Sequence, residues 1–193
     1  MIFPAAVCAQ NHIDLMMPDW LSEELAEPEN WVAHGGCWTF TDSGIIAQAG
    51  IMGRHLIYYN KKRCADFELQ VRLNKLAEGG PLGLVVRFDE RKKEGYTYLV
   101  YPHGQYCFTI IKEEPDYTIF TAPVNNMNQD VNVWNTVKIV CIGSTFELYM
   151  NDQLLTAITD KSYKNGRFGI FLAGDPRQKA IFKIISLKEF KPD

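Results

Sequence analysis

The chain has 193 residues, enough for one sizeable domain or for one domain with a terminal extension. Its 47% hydrophobic and 22% charged residues are ordinary for a folded chain. A net charge of −3 supplies no basic face for phosphates, so no nucleic-acid partner is expected. No window reaches the ~18 apolar residues of a membrane span, so no membrane partner is expected either.

The start, "MIFPAAVCAQNH", is apolar but has no basic n-region and no long apolar h-region. It is too short for a complete signal peptide, although "AVCAQ" has the small residues of a trimmed cleavage site. An exported or periplasmic location and a cytoplasmic one both fit. Residues 1–30 read as an N-terminal extension, a short helix or a loop packed on the main body: "PDWLSEELAE" has a proline at its start and acids in its first turns. Residues 31–193 read as the main domain.

From Trp31 the pattern changes to period two. "GCWTFTDSGIIAQAG" reads strand, turn, strand, and "HLIYYN" is a further strand. In "ADFELQVRLNK", Phe67, Leu69, Val71 and Leu73 take one face, and Glu68, Gln70, Arg72 and Asn74 the other. In "PLGLVVRFDE" the same count puts Leu84, Val86 and Phe88 together, with Gly83, Val85 and Arg87 opposite. "YTYLVYP" and "QYCFTIIKE" flank an "HG" turn, with Thr97, Leu99 and Tyr101 on one side and Tyr96, Tyr98 and Val100 on the other. "YTIFTA" follows, then a loop rich in Asn and Asp. Five more segments close the chain, two of them joined by a "MNDQ" turn. About a dozen short strands with almost no helix predict an all-β protein, a two-sheet antiparallel β-sandwich. The five cysteines, odd in number and without CxxC spacing, predict no zinc site. Cys107 and Cys141 lie in apolar runs and are expected to be buried thiols.

The order of the phrases "CWTFTDSGII", "ADFELQVRL", "GLVVRF", "GYTYLVY", "VWNTVKIVCIGSTFELYMND", "GRFGIFL" and "AIFKIISLKEF" resembles the concanavalin A-like jelly roll of lectins, glucanases and laminin G-like domains. Within that superfamily the chain is most similar to bacterial 3-keto-disaccharide hydrolase or glycosidase-like domains. The resemblance implies a carbohydrate or glycoside partner on a concave sheet face. Where the hydrolase-like members carry an acid on the strand after "GY", this chain has Thr97, and it has no ExDxxE-like run. Loss of the simplest general base, and of the paired carboxyls about 5 Å apart that retaining glycosidases need, turns the expectation from catalysis toward binding. A hydrolase or lyase is the alternative, and a protein-interaction sandwich a further one.

The candidate ligand-binding residues are Arg87, Arg72, Gln70, Glu68, Thr97, Tyr101 and His103. Arg87 leads, because an arginine in mid-sheet needs an acidic neighbour or a ligand. Glu68 would be the catalytic acid of an enzyme, against the plainer reading of a cross-strand ion pair. His103 and His55 are expected at exposed turns or strand entries, and Trp38 and Trp134 in the core. Superfamily relatives often hold a structural calcium. Asp42, Asp130 and Asp175 lie in predicted loops, but no DxDxDG-type run accompanies them, so no metal ligand and no cofactor is expected.

Overall fold

A computed structural model describes residues 19–112, 116–174 and 176–190, the side chains of residues 19–22 excepted. Residues 1–18 of the predicted extension, and Asp175, lie outside the described residues. The described chain opens with the helix α1 (Asp19–Ala26) and a 3-10 turn at Pro28–Asn30. Leu25 and Asn30 of this segment are buried, and the Trp31 indole N–H donates to Leu25 O at 3.0 Å, tying the segment to the sandwich.

The strands follow as β1 (Trp31–His34), β2 (Cys37–Thr41), β3 (Gly44–Gln48), β4 (Gly53–Tyr59), β5 (Phe67–Lys75), β6 (Leu82–Asp89) and β7 (Glu94–Tyr101). Then come β8 (Gln105–Ile111), β9 (Tyr117–Pro123), β10 (Trp134–Ile142), β11 (Thr145–Met150), β12 (Gln153–Thr159), β13 (Arg167–Gly174) and β14 (Lys179–Glu189). One seven-stranded sheet has the order β1-β4-β13-β6-β7-β8-β9, the other β12-β11-β10-β5-β14-β3-β2, and every pairing is antiparallel. No helix of the described residues is long and apolar enough to cross a membrane.

The period-two segments form this sandwich because alternate side chains leave a strand on opposite faces, and each sheet has one face to bury. Leu84, Val86, Tyr96, Tyr98, Phe108 and Phe168 of the first sheet meet Phe67, Leu69, Val71, Ile139, Phe146 and Phe182 of the second in one core. The predicted turns are present: Thr41 pairs with Gly44 across "DS", and Gly104, at φ 79°, donates its N–H to Tyr101 O in the "HG" turn.

The alternation fails at one decisive point. Between Val86 and Asp89 the register of β6 against β7 shifts, and Arg87 has φ 49°, in the left-handed region. This bulge reverses the two residues that follow Val86. Phe88, predicted to share the core face of Leu84 and Val86, packs instead on the outer face with Val85, Leu56 and Tyr58. Arg87, predicted to point outward, turns into the end of the sandwich.

That outer face of the first sheet is closely packed although no strand of the described residues covers it. Leu56, Tyr58, Val85, Phe88, Leu99, Cys107, Ile111 and Phe171 form a second apolar cluster there. Lys112 and Asp116 add polar contacts at its edge. Arg54, on β4, donates to Lys112 O at 3.2 Å and pairs with Asp116 at 2.5 Å. In sheet order β4 and β8 are four steps apart, about 19 Å at ~4.8 Å per step, far beyond the reach of an arginine. The face is therefore concave enough for Lys112 and Asp116, which flank the sheet's β8 and β9, to meet Arg54 of β4.

Candidate functional site

The seven candidate residues do not meet in one groove. Glu68, Gln70 and Arg72 lie on the outer face of the second sheet. Thr97 and Tyr101 lie on the outer face of the first, on the far side of a sandwich whose sheets stand ~10 Å apart. Period two shows only that a residue points away from the core, not which sheet it leaves.

Arg87 is 1% exposed. Its guanidinium donates to Ala65 O (2.7 and 3.0 Å), Gly143 O (2.8 Å) and Tyr163 O (3.1 Å), reaches the Asp66 carboxylate at 3.4 Å, and lies 4.9 Å over the Phe146 ring. All five of its N–H directions serve the protein, so Arg87 is corrected from ligand contact to internal clamp. Glu68 sits between Lys138 and Lys188, 3.8 Å from each ammonium, the cross-strand pairing that was the plainer reading. Arg72 lies 4.9 Å over the Trp134 ring, which moves Trp134 out of the core and onto the same outer face. Gln70 stands between Lys138 and Ser186.

Thr97 is fully buried beneath the concave face, its hydroxyl 3.5 Å from Thr109 O. Tyr101 is half-buried at the end of that face. Burial, the neighbouring Cys107 thiol and the Asp116 carboxylate push its hydroxyl up to about 12. His103 is exposed in the β7–β8 turn, with Nε2 3.0 Å from the Gln105 side chain and its ring 5.3 Å from Tyr101. His55 is not exposed: it is 2% accessible, with Nε2 2.9 Å from Ile51 O.

The concave face holds a pocket of about 210 Å³. Its floor is Leu56, Phe88, Ile111 and Phe171, and its rim is His34, Arg54, Lys93 and Lys112. Sequence reading missed this set because only the bulge brings Phe88 to this face, and because the rim comes from β1, β4 and two connections. The imidazole of His34 stacks on Tyr58 (5.6 Å, 25°) and meets the edge of Phe88 at 6.4 Å. Its Nε2 is buried without a hydrogen-bond partner. Burial first, and then the Lys93 ammonium, hold His34 below its usual range, so the ring is neutral at pH 7.

The Glu90 carboxylate, which acts on Tyr58 of this aromatic group, is engaged by two arginines. Glu90 accepts from Arg63 through one oxygen and from Arg167 through the other. Among the described residues no three His, Cys, Asp or Glu side chains converge as a metal site. A larger cavity of about 360 Å³, lined by Asp66, Ser144, Asp160, Tyr163 and their neighbours, lies at the Arg87 end of the sandwich.

A lowered histidine links the site to pH. The unfolded chain protonates His34 first, near pH 6.5, while the folded ring stays neutral to lower pH, so this residue removes stability as pH falls below about 6.5. Each pH unit in that window can cost at most about 1.4 kcal/mol. In urea unfolding at pH 7.5, 6 and 5, His34→Gln is therefore expected to lose less stability on acidification than the parent chain. Equal losses would show that His34 titrates as it does in water.

Three comparisons place this geometry among known proteins. The sequence profile of the 3-keto-alpha-glucoside-1,2-lyase-like domain matches residues 23–188. No curated protein matches the chain by sequence. Among solved structures, the carbohydrate-binding module CBM66 from Bacillus subtilis superposes with a TM-score of 0.73 at 21% identity, over 83% of this chain and 96% of that one. The legume lectin-like domain from Entamoeba histolytica superposes with a TM-score of 0.58 at 14% identity, over 93% of this chain and 97% of that one. At these identities the likenesses establish the fold, a concanavalin A-like sandwich.

Proposed function

Because the chain belongs to the 3-keto-alpha-glucoside-1,2-lyase-like domain family, we propose that it binds a sugar or glycoside on the concave face of its first sheet. The observation that carries this reading is the pocket itself: a floor of two phenylalanines and two aliphatic side chains, with polar groups confined to the rim. Sugar rings present flat C–H faces that pack on such surfaces, while a few placed polar groups fix orientation. The carbohydrate-binding module and the lectin-like domain that share the fold are consistent with such a ligand.

A glycan array followed by thermal-shift titration tests the proposal. A sugar that raises Tm in the parent chain is expected to lose at least half of that shift in His34→Ala, whose ring forms part of the rim. Absence of any sugar response would sink the reading and favour a protein-interaction sandwich.

One observation favours a second reading, a lyase or hydrolase. His34 lines the pocket as a neutral imidazole whose Nε2 has no hydrogen-bond partner in the protein, the protonation state a general base requires. Product formation from a glycoside or 3-keto-glycoside, lost in His34→Gln, would establish it over binding alone.

A further inference from the structure

The rim of the concave pocket has an unusual chemical bias. Arg54, Lys93 and Lys112 line it, and among the described residues no carboxylate or amide side chain does. The chain as a whole has more acids than bases, 23 against 20, so this lining runs against its own composition. Lysine and arginine donate hydrogen bonds and accept none. A neutral sugar offers as many hydroxyl donors as acceptors and needs protein acceptors for them, usually carboxylates or amides. Among the described residues, the one rim side chain able to accept is His34, through a single nitrogen of its neutral ring.

The three cations are not equivalent. Arg54 is already paired with Asp116. Lys93 and Lys112 make no ion pair with any described residue, and they come from two different connections, β6–β7 and β8–β9. Lys93 also sits at φ 56°, a left-handed conformation that a non-glycine residue adopts at a cost. Its side chain lines the same pocket as the His34 ring.

Resting on the carbohydrate reading of this pocket, we infer that its ligand is an acidic sugar. A glycoside unit seats its ring against Phe88 and Phe171, and its carboxylate is received by Lys93 and Lys112. The carboxylate supplies the acceptors that the donor-only rim requires, and the apolar floor behind it lowers the local dielectric and strengthens the attraction.

The test uses an oligouronide and the same oligosaccharide with its carboxyls reduced to CH2OH, titrated calorimetrically into the full chain at low and high salt. The uronide is expected to bind about tenfold tighter than its reduced counterpart at low salt, two exposed charge contacts contributing a few-fold each, with the advantage shrinking at high salt. Lys93→Ala/Lys112→Ala, at two exposed positions, should keep its Tm and lose that advantage while still binding the reduced sugar. Equal or tighter binding of the reduced sugar overturns the acidic-sugar inference and leaves the carbohydrate reading standing. A double variant that keeps the full preference also overturns it, by moving the carboxylate elsewhere. Failure of both oligosaccharides to bind counts against this inference and the carbohydrate reading together.

Discussion

Arg87→Met is expected to destabilise the fold by about 3–5 kcal/mol, because three carbonyls lose hydrogen bonds from a charged donor at once. The guanidinium holds three carbonyls from three separated segments: Ala65 before β5, Gly143 in the β10–β11 turn and Tyr163 in the β12–β13 connection. Methionine fills much of the volume but takes away the donors of those part-buried carbonyls, and with them three charge-assisted hydrogen-bonded contacts. Arg87→Lys should recover less than half of the loss, since one ammonium cannot reproduce a planar fork aimed at three acceptors. Asp66→Asn separates charge pairing from carbonyl capping. Its Oδ1 can still accept from Gly143 N at 2.8 Å, and its contact with Arg87 is long at 3.4 Å, so the cost should stay near 1 kcal/mol. Urea unfolding of the three variants decides the matter. A loss below 1 kcal/mol for Arg87→Met, or an Asp66→Asn loss as large, would refute the clamp.

The second large effect lies directly beneath that clamp. Phe146→Ala is expected to cost about 3–5 kcal/mol, the range for removing a buried aromatic ring from a core. Phe146 is fully buried, with its ring centroid 4.6 Å from Tyr96 and 4.9 Å from Phe108, and it carries the Arg87 guanidinium on its face. It therefore joins the two sheets and supports the buried cation as well. A double-mutant cycle with Arg87→Met should show a coupling of about 0.5–2 kcal/mol, the range for a desolvated cation over a ring. Strict additivity of the two losses would mean that the ring only fills space under Arg87. Phe146→Leu, which keeps most of the volume, should lose about 1.5 kcal/mol or less.

These two residues show where sequence reading stops. Alternation placed Leu84 and Val86 in the core correctly, because each strand has one face to bury and the β6 count is regular up to that point. One extra residue at the bulge then sent Arg87 inward and Phe88 outward. No local pattern in "VVRFDE" marks the shift, which depends on where β7 pairs. Trp134 was misplaced for a related reason: a large ring at a strand start suits the core, but the β10 register puts it on the outer face, where Arg72 covers it.

The amino-acid sequence by itself determined the class of fold, the turns at "DSG", "HG" and "MNDQ", the core face of β5, and the division of the β7 side chains between two faces. All of these follow from side-chain period and turn chemistry, which are local. The ordered phrases were also enough to point to the family, whose profile matches residues 23–188. Only the tertiary structure decided which outward faces belong together. It separated Glu68, Gln70 and Arg72 from Thr97 and Tyr101, and it assembled His34, Phe88, Lys93, Lys112 and Phe171 around one pocket. The physical reason is that a strand's own pattern distinguishes in from out. Strand order, a single bulge and the curvature that brings Arg54 to Asp116 arise from pairings between residues far apart in the chain.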